Sequence, residues 1–173
     1  MELSTSEPSG AAFDALYRET ASDVFAYVMT LLRDRPAAED VTAAAFERAY
    51  RRRSSFDARR GTRRAWLFGI ARNAALDELR RRRRMAALLT DPEDPATPAA
   101  GSGGDEEAAV RRAAVRAALA GLDARDRELV ALKFHAGLSN AEIARVLRVS
   151  ETNAGTLVHR AVTRLRKACH ESA

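Results

Sequence analysis

The chain is poor in several residue types that define whole classes of protein. It has one cysteine in 173 residues, Cys169, so no internal disulfide can form, and such usage fits a reducing cytosol. Two isoleucines and ten valines leave little β-branched material for a sheet. No run of about 18 uncharged apolar residues occurs, which argues against a membrane-spanning helix and against membrane insertion. Residues Met1 to Gly10 carry two acids, no base and no apolar core, unlike a secretory signal, so the expected location is cytoplasmic. His135, His159, His170 and Cys169 lack metal-ligand spacing, and no Gly-rich phosphate loop or nucleophile constellation is present. The expectation is therefore no enzyme, no metal and no cofactor.

Alanine and arginine dominate what remains. The 37 alanines favour small helical bundles and an all-α fold. Of the 29 basic residues 27 are arginine, which a GC-rich genome or a need for forks that grip phosphates and base edges would each explain. Placement says more than the ratio. Residues 10–84 carry +7 and residues 108–173 carry +6, whereas residues 85–107 carry −6. That acidic strip, MAALLTDPEDPATPAAGSGGDEE, holds three of the five prolines and three of the nine glycines. It cannot bury enough apolar surface to offset its ordering entropy. The expected organisation is two small helical domains, 10–84 and 109–173, joined by a flexible acidic linker, 85–108, with Met85 to Leu89 fraying from the preceding helix.

In the first block, Phe13, Leu16, Tyr17, Phe25, Val28, Leu31 and Leu32 fall largely at spacings of three and four, the mark of a helix over Ala11 to Arg33. Asp34 and Pro36 make a stop and restart before a second helix with Val41, Ala45, Phe46, Ala49 and Tyr50 on one side. After a turn-rich loop, Thr62 is positioned to cap a third helix running through Trp66, Ile70 and Leu79 into Arg80 to Arg84. On it, Trp66, Asn73 and Asp77 lie within about 40° of one another at 100° per residue. A partly buried Trp with polar neighbours at its rim would give that stripe. So would a surface that stacks on exposed bases, with Arg59, Arg60, Arg63, Arg64 and Arg72 serving the backbone.

In the second block, Asp123 caps a helix with an apolar stripe of Leu129, Val130, Leu132 and Phe134, closed by Gly137. Ser139-Asn140-Ala141-Glu142 is a capping box. Ile143, Ala144 and Leu147 face inward, Val149 is the turn hydrophobe, and Ser150 caps a last helix burying Ala154, Leu157 or Val158, Ala161 and Leu165. This is the pattern of a helix-turn-helix, parts of which short αα-hairpins without a DNA role share. Its polar face would enter a major groove, with Arg164, Arg166 and Lys167 near phosphates.

Ala38-Glu39-Asp40-Val41, Phe46 with Tyr50, and Trp66-Leu67-Phe68-Gly69-Ile70-Ala71-Arg72-Asn73 with Asp77-Glu78-Leu79-Arg80 resemble region 2 of bacterial RNA polymerase sigma factors. Leu122 to Arg166 resembles region 4, and the two-domain plan is most similar to the extracytoplasmic-function (ECF) group. The resemblance implies a region 2 bundle of three or four helices and a region 4 helix-turn-helix. It implies binding of the clamp coiled coil of the polymerase largest subunit through Glu39, Asp40, Phe46 and Tyr50, and contact with the polymerase flap. Melted minus-ten promoter DNA would be held by Arg59, Arg60, Gly61, Thr62, Arg63, Trp66, Arg72, Asn73 and Asp77. The minus-thirty-five element would be read by Ser150, Glu151, Thr152, Thr156, His159, Arg160 and Arg164. An anti-sigma factor that clamps the domains is a further implied partner.

The sequence departs from that pattern in three places. Ala43 and Ala44 replace a Gln and Glu common on the polymerase-binding helix, Arg148 stands at a turn position usually held by Gly, and no base precedes Arg160 on the recognition helix. The last departure implies weak duplex readout. Two other classes compete: a helix-turn-helix regulator acting without polymerase, which leaves the Trp66 stripe and the Phe46 helix unexplained, and an RNA-binding or scaffolding protein.

Overall fold

A computed structural model describes residues 10–88 and 106–171, and among these every regular element is helical. The linker expectations for 89–105 lie outside the described residues.

Helices α1 (Gly10–Leu32), α2 (Arg35–Arg51) and α3 (Arg63–Leu88) pack on one another as the first unit. Between α2 and α3 run two short 3-10 turns, Arg53–Ser55 and Ala58–Arg60. The stop between α1 and α2 has the expected chemistry: Asp34 accepts a hydrogen bond from the Ala37 amide at 3.0 Å, and Pro36 occupies the first turn. Thr62 caps α3, its hydroxyl accepting from the Ala65 amide at 3.2 Å. The core of this unit is lined by Val24, Tyr27, Val28, Ala45, Leu67 and Phe68. The apolar face of α1 is rotated from the expected one: Leu16, Val28 and Leu32 are inside, but Tyr17 is 51% exposed and Tyr27 is fully buried. Helix α3 continues regularly past the arginine run to Leu88.

Helices α4 (Glu106–Gly121), α5 (Ala124–Phe134), α6 (Asn140–Leu147) and α7 (Glu151–Glu171) form the second unit. Asp123 caps α5 through the Asp126 amide at 2.8 Å. Both halves of the Ser139–Glu142 capping box are made, at 3.2 and 2.8 Å. Gly137 adopts φ +64°, which lets the Leu138 amide return to the Leu132 carbonyl at 3.1 Å. Ala154, Val158 and Ala161 carry the inner face of α7, so Val158 rather than Leu157 is the buried neighbour. One expectation fails: Phe134 is 63% exposed, because Ala136 and Leu138, brought back by the turn, fill the interior in its place.

The two units are docked. Helix α5 lies against α1, and α6 against α3. At the centre, the Tyr27 hydroxyl donates to Glu128 Oε1 (3.2 Å) and Arg72 Nε donates to the same oxygen (2.6 Å). Burial, followed by the facing Glu128 charge, pushes the Tyr27 phenol well above its usual pKa, so it stays a donor. At the rim, Arg64 donates to Asp23 (2.6 Å) and to the carbonyls of Ala136 (2.5 Å) and His135 (3.2 Å). Thr62 donates to Glu142 at 2.5 Å.

Candidate nucleic-acid interface

The structure brings some of the sequence-derived site residues together and separates others. Arg60, Gly61, Thr62, Trp66 and Asn73 line one cavity of about 570 Å³, with Phe56 beside them. Trp66 is half-buried and meets Phe56 edge-on, ring centroids 5.7 Å apart at 62°. Asn73 is exposed about two turns further along α3. Gly61 sits at φ +141°, ψ −175°, a region open only to glycine, and this swings the loop from the second 3-10 turn into the cap of α3.

The remaining minus-ten candidates are engaged elsewhere. Arg59 is clamped on Asp57 at 3.1 and 3.2 Å, and these bonds hold the Asp57 carboxyl below the usual carboxylate range. Arg63 lies 5.1 Å from the Phe56 ring centroid, a cation–π contact that stiffens the loop. Arg72 is turned to Glu128. Asp77 pairs with Arg80 at 3.0 Å and borders a separate shallow groove with Arg48 and Arg84.

The polymerase-binding candidates divide similarly. Glu39, paired with Arg35 at 3.0 Å, and Asp40 are exposed, and Tyr50 is 45% exposed. Phe46 is buried at 6%, beneath Phe13 and Tyr17 at centroid distances of 6.4 and 4.8 Å. It therefore supports an outward aromatic surface rather than forming its outer layer. On α7, Ser150, Glu151, Thr152, Thr156, His159, Arg160 and Arg164 are all exposed along the solvent face. The Ser150 hydroxyl accepts from the Asn153 amide at 3.2 Å, Thr156 donates to the Thr152 carbonyl at 3.1 Å, and Arg164 is held by the buried Asp126.

Sequence reasoning missed the second unit's share of the cavity. Arg145, Val146 and Arg148 complete its wall opposite Arg52 and Ser55. It also missed Glu128, the interface acid, although an acid beside Leu129 and Val130 in an apolar stripe is a signal of a paired buried charge.

Residues 16–85 match Sigma-70 region 2, and residues 112–165 match Sigma-70, region 4. The chain is 32% identical over 161 residues to the ECF RNA polymerase sigma factor SigL of Mycobacterium tuberculosis, covering 93% of this chain and 90% of SigL. It is also 32% identical over 176 residues to the ECF RNA polymerase sigma factor BldN of Streptomyces coelicolor, covering 100% of this chain and 67% of BldN. Among solved structures, the sigma factor RpoE in complex with the anti-sigma factor NepR from Bartonella quintana shares the fold, with a TM-score of 0.75 and 22% identity over 90% of this chain and 95% of that one. CnrH in complex with the cytosolic domain of CnrY has a TM-score of 0.66 and 25% identity over 96% of this chain and 94% of CnrH. Two such regions in tandem define a class, the sigma factors of bacterial RNA polymerase. Within it, this chain belongs to the ECF family.

Proposed function

We propose that this chain acts in the cytoplasm as a non-enzymatic specificity subunit that directs core RNA polymerase to particular promoters and starts transcription there. The observation that carries the reading is the cleft where Trp66 and Asn73 stand together with Arg52 and Arg60 of the first unit. Melted DNA needs an aromatic platform for an unstacked base and cations for its backbone, and this cleft offers both. Trp66 stacks a minus-ten base, Asn73 hydrogen-bonds its edge, and the exposed face of α7 reads the minus-thirty-five duplex. The aromatic surface over Phe46, with Glu39, Asp40 and Tyr50, docks on the clamp coiled coil, and the second unit rests on the flap.

The functional units are 10–84 and 109–173, with 85–108 as the tether. Elements 25 base pairs apart are separated by roughly 85 Å along the duplex axis. The docked units must therefore part before both elements are held at once. The solved relatives bound to an anti-sigma factor, among them RpoE with NepR, support a proteinaceous inhibitor for this chain as well. Run-off transcription with core polymerase, the start site mapped, tests the function: initiation at one defined position is expected, and initiation nowhere in particular refutes it. A regulator acting without polymerase would bind duplex DNA tightly by itself, which the absence of any base on α7 before Arg160 disfavours.

A further inference from the structure

The cavity beside Trp66 contains more positive charge than the first unit supplies. Arg52 and Arg60 enter from the loop region, and Arg145 and Arg148 enter from α6 and the turn that follows it. Among the described residues none of these four guanidinium groups forms an ion pair. The acid on the lining, Asp57, is bonded by Arg59 and also feels the charge of Arg60, and Glu142, which feels the charge of Arg145, accepts from Thr62 and from the Ser139 amide. Four cationic groups against one carboxylate on the lining make this space electropositive, a setting that attracts anions.

Two details show that the second unit's arginines are set for this space. Arg145 reaches across the interface so closely that a Cβ at Gly61 would lie 3.1 Å from its Nη1. Arg148 is held in the left-handed region at φ 58°, ψ 47°, in a turn where glycine would be free of strain. This geometry closes α6, the Arg148 amide returning to the Ala144 and Arg145 carbonyls, and it brings Arg148 to the wall of the cavity. Trp66 and Phe56, packed edge to face, also line the space, and Asn73 adds an amide. The volume, about 570 Å³, suits a small molecule.

We propose that this cavity is a binding site for a nucleoside polyphosphate. The base lies against Trp66 and Phe56, and the phosphates lie among Arg52, Arg60, Arg145 and Arg148. Half of the cationic wall comes from each unit, so the ligand binds the docked form and holds it shut. It also occupies the place where a minus-ten base would stack. This inference rests on the proposed role of the Trp66 cleft.

Trp66 is the chain's single tryptophan, so its fluorescence reports on this site alone. The full chain is titrated with ATP, GTP, inorganic pyrophosphate and adenosine, with calorimetry alongside. The triphosphates are expected to bind one per chain with a saturable change in Trp66 emission. Pyrophosphate should bind more weakly and leave the emission unchanged, and adenosine should bind at least about tenfold more weakly than ATP. R145A and R148G should each weaken ATP binding by about tenfold or more. Neither should weaken binding of a single-stranded minus-ten oligonucleotide, which separates a free nucleotide from one within a strand. No saturation at millimolar nucleotide overturns the proposal. So does unchanged ATP affinity in both variants, which would place the nucleotide on the first unit alone. The wild-type chain is tested in parallel for promoter-specific run-off transcription. Initiation without nucleotide binding defeats this inference and spares the function, whereas failure to initiate defeats the function by itself.

Discussion

Arg72 on α3 and Glu128 on α5 meet at 2.6 Å, and the same carboxylate oxygen accepts a hydrogen bond from the buried Tyr27 hydroxyl. The pair is only 22% and 11% exposed at its two side chains, so it is well shielded from solvent. Removing one member of a buried pair leaves an uncompensated charge, at a cost of about 3 kcal/mol or more. Here the chain can relieve that cost by undocking, which returns Arg72 to water. E128Q is therefore expected to loosen the two units without unfolding either. Small-angle scattering should show a larger radius of gyration, and single-stranded minus-ten DNA should bind roughly tenfold more tightly as Arg72 is freed. Unchanged scattering together with unchanged strand affinity would refute this.

Trp66 should dominate strand capture. Stacking one base on an aromatic side chain contributes about 1–3 kcal/mol. W66A is expected to weaken binding of a minus-ten single strand by about 5-fold to 150-fold and to lower open-complex formation, while polymerase binding through the α2 surface stays intact. Permanganate footprinting of the holoenzyme on promoter DNA checks the first effect and co-purification the second.

The capping box holds a helix of only eight residues in the second unit. S139A removes the hydroxyl that accepts from the Glu142 amide and should cost about 1 kcal/mol in denaturant unfolding. A change below a few tenths would mean that packing alone sets α6.

Acid should weaken the α3 end. Hydrogen bonds from Arg81, then Arg82, hold the Glu78 carboxyl at about 2, against a burial effect that works the other way. A depressed folded-state pKa gives stability that is present above the unfolded value near 4.5 and is lost as pH falls through about 2. Thermal melts of E78Q should therefore lose part of the pH dependence that the wild-type chain shows between pH 4.5 and 2. Identical pH profiles would count against a structural role for the Glu78–Arg81–Arg82 cluster.

The left-handed geometry at Arg148 implies that R148G is no less stable than wild type, since relief of about 1 kcal/mol of strain offsets glycine's extra freedom in the unfolded chain. Urea unfolding reads this directly, and a loss of more than about 1 kcal/mol would mean that Arg148 makes contacts that outweigh the strain.

What the sequence made legible was local. Thr62, Asp123 and Ser139 cap where their spacing implies, and Asp34 caps at the expected stop and restart, because a cap depends only on a side-chain oxygen and the backbone amide three residues on. The helix-turn-helix followed from the same short-range logic. Side-chain direction at helix ends was less accessible: Phe134 continues the apolar run of α5, but the returning Leu138 takes the interior, an outcome set by the turn after the helix. Docking was not legible at all. Arg72 and Glu128 stand 56 positions apart, Thr62 and Glu142 stand 80 apart, and no periodicity links residues across such distances. For that reason the arginines of the first unit could be assigned to nucleic acid from sequence, whereas Arg145 and Arg148 could not be associated with them.

The exposed aromatic shelf on α1 and α2 has a consequence for timing. Tyr17 and Tyr50 face outward while α5 and α6 cover the opposite side of the bundle. On the reading proposed above, polymerase would meet that shelf without first having to part the two units. Of the groups proposed to meet DNA, the docking of the units withdraws Arg72 onto Glu128 and leaves the outer face of α7 in solvent.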